Sequence, residues 1–196
     1  MKKDRCQWAE SDPLYITYHD KEWGKPVYDD QTLFEFLILE GMQAGLSWIT
    51  ILRKRENYRN ALDNFDATKI ARYTSARKEK LMQNEGIIRN RLKIEAIVGN
   101  AKAYLEVKKE FGSFAKYIWS FVDNHPVINK FKRMGEIPAE TETARIMSKD
   151  LKKRGFKFVG PTICYAFMQA VGMVNDHMTD CFRYKEVQKY IRKRVP

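Results

Sequence analysis

Apolar positions recur along most of the chain at intervals of three and four, the spacing that lays a stripe down one face of a helix. Strand-like alternation is not sustained over any useful length, so the pattern predicts an all-α fold. The first stripe is LFEFLILEG, headed by Asp29 or Asp30 as a side-chain cap and interrupted at Gly41 and Gly45. A second begins near Ser47 and runs through WITILRKRENYRNAL. Asp66 heads a short helix, ATKIARYT, and Ser75 heads ARKEKLMQN, which is expected to stop at Gly86. A long helix follows from about Arg89 to Phe111, and Ser113 caps FAKYIWSFV.

The stretch DNHPVINKFKRMGEIPAE then breaks the period with proline and glycine and reads as a connection. Helical spacing resumes in TETARIMSKDLKKRG and PTICYAFMQAVG, joined by the tight segment GFKFVG between Gly155 and Gly160. Pro161 suits the first turn of the second helix, where its missing amide proton would be unpaired anyway. The amides freed at such a helix start can hold a phosphate, and the same pattern also describes an ordinary helical hairpin.

Composition narrows the partner. Across 196 residues Lys and Arg outnumber Asp and Glu by 36 to 25, a net charge of +11. A polyanion, nucleic acid foremost, is the natural partner, although scattered basic residues also suit a generally basic protein. The N-terminal MKKDRCQWAESDP is too polar for a secretory leader, and three cysteines are an odd count, so a cytoplasmic setting with reduced thiols is expected. No apolar run is long enough to span a bilayer, and a membrane role is not expected.

Two Cys/His pairs carry candidate chemistry: Cys6 with His19, and His177 with Cys181. These are donors that zinc prefers, and four of them form a closed tetrahedral site that would staple the chain ends. A spacing of four would put His177 and Cys181 on one face of a helix, while a loop would turn back between Cys6 and His19. Spacing alone leaves the other role open, since Cys and His also serve as small core residues. Cys164 remains as a buried thiol in an apolar helix. Glu40 closes an apolar run, where a carboxylate is partly buried, and Trp8, Tyr15, Tyr18 and Trp23 lie in the segment that the first pair would fold. Rings around one carboxylate suit a flat cationic ligand, and they equally suit simple packing.

The strings DPLYITYHDKEWG, LEGMQAGLSWITILRKRENYR, GIIRNRLKIEAIVGNA, WSFV and KKRGFKFVGPTICYAFMQAVGMVNDH resemble the 3-methyladenine DNA glycosylase I family from Cys6 to about Cys181. The resemblance implies a helix-hairpin-helix DNA glycosylase-like fold with one structural zinc on Cys6, His19, His177 and Cys181, and no organic cofactor. It implies a base pocket of Glu40, Tyr18 and Trp48 with Trp8, Tyr15 and Trp23 nearby, Glu40 being the catalytic carboxylate. DNA contacts are expected from Gly155, Lys157, Gly160 and Thr162, aided by Lys152, Lys153 and Arg154. Leu46 is a candidate wedge into the duplex or, alternatively, a core leucine. The usual acid position of the wider superfamily carries Asn175, and no lysine stands at its nucleophile position, so no lyase activity is expected. The expected partner is double-stranded DNA with alkylated bases, bound by a monomer. The expected division is residues 30–135 as one helical subdomain, with 1–29 and 136–196 as a zinc-stapled second, within a single catalytic unit 1–196. A non-enzymatic DNA-binding protein, or a glycosylase for another lesion, is the alternative. The tail RYKEVQKYIRKRVP matches no motif and reads as a basic helix.

Overall fold

A computed structural model describes residues 4–192. The fold centres on α2 (Asp30–Gln43), whose residues from Leu33 through Met42 are buried without a break. A helix apolar nearly all round belongs in the middle of a core. Asp29 is its cap, accepting from the Thr32 amide at 2.8 Å, and the helix passes through Gly41 to end at Gln43. Around it lie α3 (Trp48–Ala61), α6 (Arg91–Phe111), α7 (Phe114–Ser120) and α9 (Pro161–Ala170), with α8 (Glu142–Lys153) packed on α9. Asn90, Ser113 and Thr141 cap α6, α7 and α8 through their side chains.

The local expectations need several corrections. The segment after Cys6 is not a plain loop: Gln7–Ser11 forms a 3-10 turn and α1 (Pro13–Lys21) follows. Asp12 starts that helix by accepting from the Leu14 amide at 2.8 Å, with Pro13 in its first turn. α4 covers only Ala67–Ile70 under its Asp66 cap. α5 (Ser75–Gln83) is capped by Thr74 rather than Ser75, and it ends at Asn84, two residues before Gly86. The connection contributes β1 (Val127–Ile128), which pairs in parallel with β2 (Val174–Asn175), Val127 opposite Val174 and Ile128 opposite Asn175. His177 and Cys181 lie in the turn after β2, not on a helix. α10 (Phe182–Arg192) follows with Val187 buried, and the last four residues of the tail lie outside the described ones.

The two ends of the chain meet, with the Phe182 amide donating to the Asp4 carbonyl at 3.0 Å. Among the described residues no helix is long and apolar enough to cross a membrane.

Candidate active site

α1 and the turn after β2 bring Cys6, His19, His177 and Cys181 together, all buried, with their donor atoms within 4.8 Å of one another. Cys181 Sγ lies 3.4 Å from His19 Nε2 and 3.7 Å from His177 Nδ1, and Cys6 Sγ lies 3.7 Å from the same Nδ1. Metal bonds of about 2.0–2.3 Å put the edges of a tetrahedron at about 3.3–3.8 Å, and these three spacings match such edges. The outer ring nitrogens are also held: His19 Nδ1 by Asp20 at 2.9 Å and His177 Nε2 by the Trp23 carbonyl at 3.1 Å. Such partners fix the tautomer and aim the other nitrogen inward. Asp20 is in turn gripped by Arg5. The hydrogen bond from Cys6 holds the Cys181 thiol well below its usual range, and the same bond pushes Cys6 up. Gly24 makes the close approach possible, because a Cβ there would sit 2.9 Å from His177 Nε2 and its φ of +74° disfavours other residues.

A pocket of about 390 Å³ adjoins this cluster, lined by Trp8, Tyr15, Tyr18, Trp23, Glu40, Gln43, Trp48, Met134, Ile137, Ala166 and Gln169. Its rings interlock: Trp8 meets Tyr15 edge-on at 5.4 Å and Trp23 at 5.1 Å, and Tyr18 meets Trp48 at 5.6 Å. Trp23 also lies 4.6 Å from the His177 ring, so the pocket wall rests directly on the Cys/His cluster. Tyr15 closes the mouth from another side, its hydroxyl accepting from the Ile49 amide at the start of α3 at 2.9 Å. Glu40 is 3 % exposed. Burial pushes its carboxyl up to about 8, and its Oε2 is buried without a hydrogen-bond partner among the described residues. Unpaired buried polar atoms cost about 1–3 kcal/mol each, and facing a pocket they mark where a ligand supplies the partner. A wider depression of about 630 Å³ beside Lys21, Glu22, Lys25 and Tyr28 shares no lining residue with this pocket and has no such atom.

Glu40 and the hairpin are neighbours in space. A Cβ on Gly41 would touch Phe158 at 3.3 Å. Lys93, buried on α6, donates to the Met42 and Ala44 carbonyls at 2.7 Å each and so ties down the end of α2. Asn100 clamps the hairpin backbone, taking the Lys157 amide at 2.8 Å and giving to its carbonyl at 3.0 Å. The turn is made by Gly155 at φ +92° and by Phe158 at φ +56°. Gly160 is different: its φ is −62°, it precedes α9 as the capping residue, and nothing lies within 4 Å of a Cβ built there. Lys157 and Thr162 are exposed on this face. Arg154 is not free for DNA, because Glu110 and Asp150 hold it while it lies over Phe111 and Tyr117. Leu46 is 41 % exposed rather than buried in the core. Asn175 is buried and occupied structurally, donating to the Tyr184 carbonyl and accepting from the His177 amide.

Residues 8–184 match the sequence pattern of the family described as methyladenine glycosylase. The chain belongs to that family. It is 54% identical over 177 residues to the DNA-3-methyladenine glycosylase of Haemophilus influenzae, covering 90% of this chain and 96% of that protein. The crystal structure of a 3-methyladenine DNA glycosylase I superposes with a TM-score of 0.89 at 55% identity, over 91% of this chain and 98% of the other. A variant 3-methyladenine DNA glycosylase I, solved in complex with 3-methyladenine, gives a TM-score of 0.88 at 40% identity, over 91% and 96%. Within this methyladenine glycosylase fold, the residues that sequence reasoning missed at the pocket are Gln43, Met134, Ile137, Ala166 and Gln169. Gln169 alone left a trace, as the one amide in the apolar run TICYAFMQAVG.

Proposed function

We propose that this protein excises 3-methyladenine from alkylated double-stranded DNA by hydrolysing its N-glycosidic bond, leaving an abasic site. The observation that carries this reading is a buried carboxylate, Glu40, with an unpaired oxygen inside a box of aromatic rings. Methylation at N3 gives adenine a positive charge and weakens its bond to the sugar, so the base leaves with little further activation. Selection is then the main task. The lesion nucleotide is extruded from the stack, Trp48 and Tyr18 stack on the base, and Glu40 accepts hydrogen bonds from its edge, with Trp8, Tyr15 and Trp23 closing the box. A cation over a ring face gains about 0.5–2 kcal/mol per contact, which normal adenine does not. Glu40 is the catalytic residue we assign, because it touches the base as the bond to sugar breaks and water attacks.

The duplex is held by backbone amides from Gly155 to Thr162, with Gly160 letting phosphate approach closely and Lys157 adding charge. Leu46 fills the gap left by the extruded nucleotide. No lysine is among the described residues lining the pocket, which supports hydrolysis without a Schiff base. One zinc on Cys6, His19, His177 and Cys181 would be closed and structural, supplying no step of the reaction and needing no organic cofactor beside it. We further propose a monomer acting in the cytoplasm, built as residues 30–135 and a stapled second unit of 1–29 with 136–196.

Incubating methylated duplex DNA with the protein and measuring released base tests the proposal. Release of 3-methyladenine in preference to 7-methylguanine and hypoxanthine is expected. Tight binding with no free base would indicate a DNA-binding module, and preferential release of another base would indicate a different lesion.

A further inference from the structure

Gln169, on α9, lines the pocket and is held through both its backbone and its side chain. Its backbone carbonyl accepts from the Gly24 and Gly172 amides at 3.1 and 3.3 Å. Its side-chain Nε2 donates to Asp176 Oδ2 at 2.7 Å. Asp176 is 1 % exposed. It also accepts from the Tyr165 hydroxyl on Oδ2 at 2.6 Å and from Asn129 Nδ2 on Oδ1 at 2.6 Å. A carboxylate in such a ring of donors only accepts, so the amide nitrogen of Gln169 must face it. The amide is planar, and its carbonyl oxygen, Oε1, is therefore turned away from Asp176 with no donor given to it by a described residue.

We infer that Gln169 Oε1 is a specificity-determining acceptor for the exocyclic amino group at C6 of the bound base, and that Asp176 is the positioning residue that fixes it. The inference rests on the pocket reading proposed above. Glu40 and Gln169 line the same pocket, giving it two acceptors, and a 6-amino group carries two N–H donors to match them. A 6-oxo purine has no hydrogen at that position and sets oxygen against oxygen. Charge alone cannot sort N3-methylated purines, since the methyl group makes each of them cationic in DNA. A fixed acceptor can, because a site built to bond a donor strongly rejects an analogue that lacks it.

The test uses the full-length protein and two free bases that differ at C6 alone, 3-methyladenine and 3-methylhypoxanthine, titrated by the fluorescence of the pocket tryptophans. The parental protein should prefer 3-methyladenine by at least about tenfold, and Gln169→Leu should lower that preference about tenfold by weakening 3-methyladenine. Asp176→Asn offers a donor where there was only an acceptor, so it should release or reverse the Gln169 amide and move the ratio toward 3-methylhypoxanthine. A merely structural role would change both affinities together and leave their ratio alone. If Asp176→Asn does not fold, Gln169→Leu decides the matter by itself. An unchanged ratio in folded Gln169→Leu overturns the inference. Should Glu40→Gln weaken 3-methyladenine while Gln169→Leu keeps the parental ratio, only Gln169 is misassigned. If the parental protein binds neither base, the pocket reading falls and this inference with it.

Discussion

The Cys/His cluster and the aromatic pocket share a wall, yet they treat their polar atoms in opposite ways. In the cluster every donor atom faces another, both histidines are locked from behind, and nothing is left over. In the pocket a buried carboxylate oxygen, Glu40 Oε2, has no hydrogen-bond partner among the described residues. Satisfied groups hold a fold together, whereas groups kept unsatisfied at a pocket wall are stability given up for a ligand. The two sit back to back through Trp23, whose ring lies 4.6 Å from that of His177.

The strongest test of this contrast is to break the closed side. Cys181→Ser should cost at least about 4 kcal/mol, because binding of a structural metal is itself folding free energy. Thermal unfolding and metal content check it: the parental protein should hold close to one zinc, and an unchanged melting temperature in the variant would remove the staple. Activity should fall only as far as the folded fraction does.

Breaking the open side should do the reverse. Glu40→Gln is expected to slow 3-methyladenine excision at least about tenfold, since a bound cationic base draws Glu40 into its ionised form and the charge-assisted hydrogen bond it then makes is worth roughly 1.5–3 kcal/mol. It should also stabilise the protein, with a defined pH dependence. Burial raises the carboxyl from 4.5 to about 8, so the folded chain keeps a proton that the unfolded chain releases above 4.5. The neutral carboxyl is therefore tolerated in full below pH 4.5, and stability drains away as pH rises toward about 8. Glutamine cannot ionise, so the advantage of the variant should grow by up to about 1.4 kcal/mol per pH unit across that window. Parallel denaturation curves at acid and alkaline pH would contradict it.

Two smaller effects sharpen the boundary between pocket and DNA face. Gly160→Val meets open space at an ordinary φ, so the hairpin should stay intact while the added side chain keeps phosphate away. Affinity for abasic duplex should drop about tenfold for all sequences, with free-base binding unchanged in calorimetry. Leu46→Ala, at an exposed position, should slow excision from duplex by roughly three- to fivefold and leave release from single strands nearly alone. Equal losses on both substrates would place Leu46 in the pocket instead.

The helices were readable where caps and apolar stripes coincide, as at Asp29 with LFEFLILE and Ser113 with FAKYIWSFV. α1 was hidden because DPLYITYHDK mixes rings and charges, its residues being spent on a pocket and a Cys/His cluster rather than on an apolar stripe. The strands are two residues each, too short for alternation to register. His177 and Cys181 were placed together correctly for the wrong reason, since a tight turn also brings residues four apart onto one side. The candidate pocket was legible in Glu40 and Trp48, but Met134, Ile137 and Gln169 reach it from elements more than 80 residues away in sequence. Nothing local announces such a meeting.

Cys6 and His177 touch across 171 positions of the chain. At synthesis rates of about 5–20 residues per second, roughly 10–35 seconds separate the emergence of one from the other. Through that interval the aromatic wall made by the first segment lacks its His177 face. A ribosome-bound or prematurely ended chain thus carries Trp8, Tyr15, Tyr18, Trp23 and Trp48 without the turn against which Trp23 packs in the finished fold.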